Sequence, residues 1–323
     1  MAESGLDTGR PVTVTEAPSW PVARYRLVFK VQTPLNLPDY AGSMLRGVFG
    51  QALRRLACMT KRRGCGLCPL LTVCPYPLIF ETPAPAEHQL QNFSAVPNAY
   101  VIEPPPWGRR QYLPEEDLVF EMVLFGHALE KLPLIILAWQ RALARGVGGG
   151  TAGLAEIVLL TPQSEVGIFD ASSDRVRPHE QRLRLPPFQG GTDFGLNFIT
   201  PLRLQENGRI LPPEQVTARV LLMALVRRLC LILEFHAGIK PDYDFSRLSR
   251  LAEGVDAVNN LKWRYWERWS NRQKKKMTLN GLAGEIRLSG VPLEFYDLLR
   301  LGQWGHVGKN TTFGLGRYSL DFL

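Results

Sequence analysis

The stretch PLEFYDLLRLGQWGHVGKNTTFGLGRYSLDFL, residues 292–323, predicts a short helix, a glycine-rich loop at 302–316 and a final strand. Glycines let a chain turn sharply and let backbone N–H groups approach a phosphate closely. The loop is not a P-loop, because it lacks G-x-x-x-x-G-K-S/T and leads into a strand instead of opening a helix. It is either a tight connection or a ligand-contacting loop, and five glycines beside a lysine favour ligand contact.

The elements that precede this stretch complete a recognisable order. A strand is predicted at LNFITPLRL (196–204), a long helix at 212–238, and two paired strands at LKWRYWERWS (261–270) and KMTLNGLAGEIRLSG (276–290). Prolines at the start of the long helix and a glycine at its end are typical of helix termini. The C-terminal half is therefore predicted to be β-α-β-β-α-β, which is the ferredoxin-like arrangement.

The sequence of the N-terminal half predicts the same order of strands and helices. Strands are predicted at ARYRLVFKVQT (23–33), YPLIFETP (76–83), NAYVIEPP (98–105), DLVFEMVLFG (117–126) and LAEIVLLTP (154–162), and helices at 38–58 and 128–146. The fold class is predicted to be α+β, with two tandem ferredoxin-like (RRM-like) domains and a cysteine-rich loop insertion. The expected organisation is a flexible tail at 1–22, an N-terminal domain at 23–190 with the cysteine loop at 58–74, and a C-terminal domain at 191–323.

The second predicted strand pair is joined by a basic turn and combines aromatic with cationic residues. One face of such a hairpin packs on the core, while the other face and the turn can follow a phosphate backbone. An ordinary solvated hairpin is the alternative, and the net charge of +8 favours nucleic acid. The cations predicted to bind are Arg264, Arg268, Arg272, Lys274, Lys275 and Lys276.

Four of the five cysteines lie close together as C-x6-C-x2-C-x5-C: Cys58, Cys65, Cys68 and Cys74. Four thiolates in one loop suit tetrahedral Zn²⁺, so a structural zinc is the favoured interpretation. An iron–sulfur cluster and free thiols are the alternatives. Cys230 lies in an apolar helical run and is predicted to be a core residue.

Several classes of function lack support in the sequence. No run of about 18 apolar residues predicts a membrane span, and the polar start has no signal pattern, which suggests a cytoplasmic protein. The chain contains no G-x-S-x-G motif, no H-E-x-x-H motif and no carboxylate cluster suited to two metals.

Three segments together resemble a known family. GHVGKNTTFGLGRY resembles the C-terminal glycine-rich signature of the RAMP superfamily of CRISPR-associated proteins, and AGSMLRGVFGQALRRL resembles its N-terminal helix motif. WSNRQKKKMTLNGLAGEIRLSG is similar to the second-domain hairpin of the sixth Cas family, the endoribonucleases that cut precursor CRISPR RNA. The superfamily's tandem ferredoxin-like fold agrees with the order of elements derived above.

This resemblance implies a metal-independent endoribonuclease that binds CRISPR repeat RNA, with no catalytic metal. Attack by a 2′-hydroxyl would leave 2′,3′-cyclic phosphate and 5′-hydroxyl ends, and the enzyme would retain the mature RNA and contact other Cas effector subunits. The alternatives are a non-catalytic RAMP subunit that binds guide RNA and, less favoured, a zinc-bearing RNA-binding module of another system. The RNA-binding prediction adds residues of the first helix and of the loop: Arg46, Arg54, Arg55, Gly305, Gly308, Thr311, Thr312, Gly314, Gly316 and Arg317.

The first helix departs from the family pattern, because no histidine lies between Pro38 and Thr60, where many members carry one. Three hypotheses follow, the last of which is that the protein binds RNA and cuts it slowly. In the first, His306 is the general acid or base, assisted by Lys309 and Tyr40. In the second, Tyr40, an arginine and Lys61 act by stabilising charge.

Overall fold

In the computed structural model, the described residues are 19–84, 96–108, 110–172, 175–188, 190–270 and 275–323. They form two sheet domains in succession along the chain, each built on one five-stranded antiparallel sheet. This is the tandem ferredoxin-like fold that the sequence predicts. No helix among these residues is both long and apolar enough to cross a membrane.

The N-terminal domain has a sheet in the order β4-β6-β2-β7-β8 and three helices. Its sheet strands are β2 (Val22–Val31), β4 (Tyr100–Glu103), β6 (Asp117–Phe125), β7 (Ala152–Leu160) and β8 (Glu165–Asp170). Its helices are α1 (Gly42–Ala57), α2 (Pro75–Phe80) and α3 (Leu132–Arg145), and two short strands, β3 (Leu35–Leu37) and β5 (Arg110–Tyr112), pair beside the sheet.

Buried and less buried side chains alternate along β2, and this pattern explains why one face of the sheet is covered by helices. Tyr25, Leu27 and Phe29 are buried, while the charged residues between them are less buried. The buried side chains face α1 and α3, where Phe49 stacks on Trp139 with ring centroids 4.8 Å apart. The core of the domain therefore lies between one sheet face and two helices.

The C-terminal domain repeats the architecture with the sheet order β13-β15-β10-β16, and β14 also pairs with β15. The strands are β10 (Phe194–Leu202), β13 (Asp256–Asn259), β14 (Lys262–Ser270), β15 (Lys275–Ser289) and β16 (Tyr318–Phe322), with helices α4 (Ala218–Ala237), α5 (Phe245–Glu253) and α6 (Tyr296–Gly305). As predicted, α4 ends at a glycine, and Gly238 there has a left-handed conformation. The remaining short strands are β1 (Ser19–Trp20), β9 (Leu183–Arg184), β11 (Gln205–Glu206) and β12 (Arg209–Ile210).

Two local features differ from the sequence predictions or extend them. The segment YPLIFETP is not a strand, because Pro75–Phe80 form α2. Proline is tolerated in a first helical turn, and Tyr76, Ile79 and Phe80 bury one helical face at spacings of three and four. At the other end of the domain, β1 pairs with β9 and lies within the segment predicted as the tail, of which residues 1–18 lie outside the described residues.

A small third core cluster joins the two domains. It contains Tyr40 before α1, Trp266 of β14, Leu279 of β15, and Phe313 and Leu315 of the glycine-rich loop. The end of the β14–β15 hairpin nearer the sheet is thus packed against the start of α1. This junction brings together all three segments that resemble the RAMP superfamily.

Candidate functional site

The glycine-rich loop runs from α6 to β16 through a series of left-handed residues. Gly308, Gly314 and Gly316 have φ values of 90°, 93° and 73°, and a Cβ on Gly316 would lie 1.9 Å from the Val307 carbonyl oxygen. A side chain would therefore be both strained and sterically excluded at that position. The glycines here let the chain approach its own backbone closely.

Many loop amides already donate to protein acceptors. Val307 N donates to Gly316 O at 3.1 Å, Lys309 N to Arg203 O at 2.8 Å, and Gly314 N to Thr311 O at 2.8 Å. An amide held in this way cannot also serve a phosphate without breaking its bond. The loop is thus first of all a structural connection, and its predicted phosphate contacts would use exposed side chains and the amides that remain.

The start of α1 lies directly against this loop. The Tyr40 hydroxyl donates to Phe313 O at 2.7 Å, and a Cβ on Gly42 would lie only 2.0 Å from the same oxygen. From the C-terminal domain, Thr200 Oγ1 donates to Gly314 O at 2.6 Å. Burial raises the pKa of Tyr40 well above its usual value, so its hydroxyl keeps its proton at neutral pH. Helix and loop are therefore held in one fixed relation.

Beneath the loop lies a buried ionic cluster centred on Glu103 at the end of β4. Its Oε1 accepts from His306 Nε2 at 2.7 Å and from Arg24 Nη2 at 3.0 Å, and lies 3.5 Å from Arg317 Nε. Glu103 is fully buried, yet the cationic neighbours and the His306 bond hold the pKa of its carboxyl well below the usual range. The carboxylate thus connects two strands of the N-terminal domain to both ends of the glycine-rich loop.

His306 is enclosed by acceptors within this cluster. Besides its bond to Glu103, its Nδ1 lies 3.1 Å from Leu315 O, and the side chain has no exposed surface. Burial lowers the His306 pKa, the hydrogen bond to Glu103 raises it in part, and Nε2 donates to the carboxylate. In this conformation the imidazole cannot reach a bound RNA, which favours a positioning role over acid–base chemistry.

An open cavity of about 460 Å³ lies above the cluster, between the two domains. Its walls include Tyr40, Glu121, Thr200 and Gly314, and Arg317, whose side chain is 26% exposed, supplies positive charge. Arg317 also pairs with Glu121, with Nη2 to Oε2 at 3.1 Å. The cavity is large enough to hold part of a nucleotide, and at its base Arg317 lies beside the carboxylates of Glu103 and Glu121.

Trp107 forms the rim of this cavity and stacks with both domains. Its ring centroid lies 4.8 Å from that of Tyr40, and the Arg264 guanidinium of β14 lies 3.9 Å from it. Gly108 N donates to Asp39 O at 2.9 Å, which fixes the loop after β4 against the start of α1. This Tyr40–Trp107–Arg264 stack offers a half-exposed guanidinium at the edge of the cleft.

The remaining predicted residues of the first helix have internal roles or face away. The Arg46 guanidinium lies 4.3 Å from the Phe80 ring centroid, and Arg54 Nη2 donates to the carbonyls of Arg62 and Arg63 at 2.6 and 2.7 Å. Arg55 is exposed. The RNA-binding role of Arg46 and Arg54 stays a prediction, and in this conformation both guanidinium groups already have protein partners.

The predicted RNA-binding residues of the glycine-rich loop and of the β14–β15 hairpin differ in how exposed they are. Lys309 is exposed, Thr312 is half-buried, and Gly305 and Thr311 are buried. Lys61, which the second catalytic hypothesis invokes, is exposed in the cysteine loop. Arg272 and Lys274 lie outside the described residues, as do the side chains of Arg268, Lys275 and Lys276.

Three residues of this site were absent from the sequence predictions: Glu103, Arg24 and Trp107. The segment EPPPWG at 103–108 carries a weak signal, since an acid ends an apolar strand and an aromatic follows three prolines. Nothing in the linear sequence pairs Glu103 with residues 79 and 203 positions away. Only the tertiary fold shows that these groups form one cluster.

Family models cover both domains. Residues 20–191, more than half of the chain, match the model described as AF_1859_N, N-terminal domain, and residues 196–318 match that of the CRISPR-associated endoribonuclease Cas6. The chain is a Cas6-type protein, with the Cas6 model matched over its C-terminal domain. Cas6 membership makes it an endoribonuclease of CRISPR RNA processing.

Solved structures with the same fold include Cas6 proteins. A Cas6 product complex is 15% identical at a TM-score of 0.54, covering 94% of this chain and 99% of that chain, and Thermus thermophilus Cas6 is 15% identical at 0.51, covering 94% and 100%. A partial Cas6-RT-Cas1–Cas2 complex is 12% identical at 0.57, covering 95% of this chain but 47% of that longer chain. At such identities the similarity shows the fold. No curated protein matches the chain.

Proposed function

We propose that this Cas6 protein binds the repeat of precursor CRISPR RNA across the junction of its domains and cuts it without a metal ion. The observation that carries the proposal is the cleft above Glu103, where α1, the loop after β4, the β14–β15 hairpin and the glycine-rich loop meet. All of these segments except the loop after β4 resemble the superfamily in sequence. Tyr40 and Trp107 line the cavity from the N-terminal domain, and Gly314 and Arg317 line it from the C-terminal domain.

The proposed reaction is transfer within the RNA backbone. The 2′-hydroxyl upstream of the scissile phosphate loses its proton to water in the open cavity, and its oxygen attacks phosphorus in line. The bond from phosphorus to the 5′-oxygen breaks, and that oxygen takes up a proton, which gives 2′,3′-cyclic phosphate and 5′-hydroxyl ends. Because the nucleophile comes from the substrate, the reaction needs no metal-bound water.

The protein's contribution to this step is positioning and positive charge. Arg317 at the cavity base and the exposed Lys309 are the cations that can approach the negatively charged phosphorane. The Tyr40 side chain lines the same cavity, and its hydroxyl, which donates to Phe313 O, holds the glycine-rich loop in position. His306 acts through Glu103, since it holds the carboxylate that in turn holds Arg317.

The partners that fit this proposal are RNA and other Cas proteins. Structural neighbours include a Cas6 product complex and a complex of Cas6 with RT, Cas1 and Cas2. The basic-aromatic rim at Trp107 and Arg264 can hold the RNA after cleavage by stacking and charge. Retention of the mature RNA by this chain is therefore part of the proposal.

Cleavage of the cognate repeat RNA in EDTA tests this function. Wild type is expected to cut at one position and to leave a 2′,3′-cyclic phosphate, seen by mass spectrometry of the product. Lys309→Ala is expected to slow single-turnover cleavage about 10²-fold, because it removes charge from the phosphorane. Lys131→Ala changes a lysine before α3 whose side chain is 44% exposed; it is the control and should cut at the wild-type rate.

Two results would overturn the proposal. One is complete inactivity of folded wild type on its own repeat in EDTA with recovery on adding Mg²⁺, which would make the chemistry metal-dependent. The other is a product with a 3′-hydroxyl, which attack by the neighbouring 2′-hydroxyl cannot produce.

A further inference from the structure

The cysteine loop is the one motif of the sequence that the proposed function leaves unused. Cys58 directly follows the last residue of α1, and Cys74 directly precedes the first residue of α2. These two cysteines and the inner pair Cys65 and Cys68 all line one small cavity of about 20 Å³. The fold thus brings four thiols, spread over the loop, to the same place.

Apolar packing explains only part of the shape of this loop, since Cys65 and Cys74 pack against the core of the N-terminal domain. All residues from 58 to 74 are described, and none of them is buried. Three of its large apolar side chains, Met59, Leu67 and Val73, are exposed to 82%, 92% and 67%, while Leu70 and Leu71 line the cavity together with the thiols. A loop of this length that has no fully buried residue and whose four thiols face one cavity is the kind of segment that a cross-link stabilises.

Arginine side chains donate hydrogen bonds to backbone carbonyls of the cysteine loop and so fix its conformation around the thiols. Arg54 Nη2 donates to the carbonyls of Arg62 and Arg63, and Arg62 Nη1 donates to Leu67 O at 2.8 Å. A tight turn with Cys68 N donating to Cys65 O at 2.9 Å brings the inner pair together, as the C-x2-C spacing requires. The loop is therefore pre-folded around its cavity by contacts that do not involve sulfur.

Charge also favours an anionic centre here. A Zn²⁺ ion with four thiolates carries two net negative charges. Five cations lie within or just before the loop: Arg54, Arg55, Lys61, Arg62 and Arg63. Without an anion among them, these side chains repel one another in a short segment.

We propose that Cys58, Cys65, Cys68 and Cys74 bind one structural Zn²⁺, releasing their thiol protons to solvent as the four Zn–S bonds form. Within the described residues no three His, Cys, Asp or Glu side chains are yet arranged to hold an ion, so the thiols must rotate into the shared cavity. The cavity that the four thiols share is where the ion would lie.

Such a zinc site would stabilise the position of α1 relative to α2. The ion would tie the end of α1 to the start of α2, which already packs on α1, since a Cβ on Gly50 would lie 2.1 Å from the Phe80 ring. The other end of α1 contacts the glycine-rich loop through Tyr40. Zinc would thus fix the helix that forms one wall of the cleft, independently of whether the cleft cuts RNA.

Metal analysis of the full chain tests the site. The protein is purified untagged under reducing conditions and its metals are measured by inductively coupled plasma mass spectrometry. Wild type is expected to hold about one zinc per chain. The double variant Cys65→Ser/Cys68→Ser is expected to lose it, whereas Cys230→Ala, a core cysteine in α4, is expected to keep it.

A second measurement covers the case in which the double variant does not fold. Wild type is stripped with a chelator and titrated with Co²⁺, which should give intense thiolate-to-cobalt absorption and the visible bands of a tetrahedral site at one equivalent. Three outcomes would overturn the proposal: no tight Co²⁺ or Zn²⁺ binding by wild type, iron with the broad visible absorption of a cluster, or a mass that shows the cysteines joined as disulfides.

Discussion

Replacing Glu103 with alanine is expected to destabilise the protein by about 3–5 kcal/mol, because it leaves three buried or half-buried cationic and imidazole groups without their carboxylate. Arg24, His306 and Arg317 all lie within 3.5 Å of this one side chain. Urea unfolding followed by tryptophan fluorescence measures the change. RNA cleavage by the folded protein should fall as well, since Arg317 loses its anchor.

Two variants give this experiment its controls. Glu103→Gln keeps the shape and an acceptor oxygen but removes the charge, so its loss should be smaller, about 1–3 kcal/mol. Glu130→Ala removes a carboxylate that is 74% exposed and should change stability by about 0.5 kcal/mol or less. A loss for Glu103→Ala no larger than that for Glu130→Ala would mean that the cluster does not connect the domains.

Replacing Gly42 with alanine is expected to slow cleavage about 10²-fold, because it separates α1 from the glycine-rich loop. Alanine in a helix is ordinarily about 1 kcal/mol more favourable than glycine. Here its Cβ would lie 2.0 Å from the Phe313 carbonyl oxygen, so the sign reverses and stability should fall by about 1–3 kcal/mol. Single-turnover cleavage and thermal unfolding give the two readouts.

The matched control for this variant is Gly254→Ala at the end of α5. Gly254 has φ −82°, and a Cβ there would meet its nearest atom, Leu251 O, at an ordinary 3.6 Å. That variant should keep wild-type cleavage. Equal rates for Gly42→Ala and Gly254→Ala would show that the contact between α1 and the loop has no part in the reaction.

Elements with a clear period or clear termini could be predicted from the sequence. The alternation of buried and exposed residues in β2, and the proline and glycine at the ends of α4, depend only on residues within or next to each element. Such patterns can therefore be recognised without knowledge of the tertiary fold. One exception is α2, since a short apolar run such as PYPLIF has too few residues to distinguish a period of two from one of 3.6. Its conformation is decided by packing against α1. Helix α5 and strand β13 were not predicted either.

The site was less predictable because it depends on contacts between distant residues. The sequence placed Tyr40 and the glycine-rich loop at the site, and the structure brings both to one cavity. It could not show that His306 lies beneath the surface, because the residue that encloses it, Glu103, is 203 positions away. Likewise, the glycines predicted to leave amides open to phosphate serve close approaches such as that of Gly316 to Val307.

The central claim is that RNA is cut in the cleft where α1, the loop after β4 and the glycine-rich loop meet. Photocrosslinking tests it most directly, with 4-thiouridine placed beside the scissile phosphate of a repeat RNA whose attacking 2′-hydroxyl is replaced by hydrogen. Mass spectrometry of the crosslinked peptides is expected to locate the RNA at residues 39–46, 103–108 or 307–317. Crosslinks confined to other surfaces, such as α5 or β8, would contradict this account.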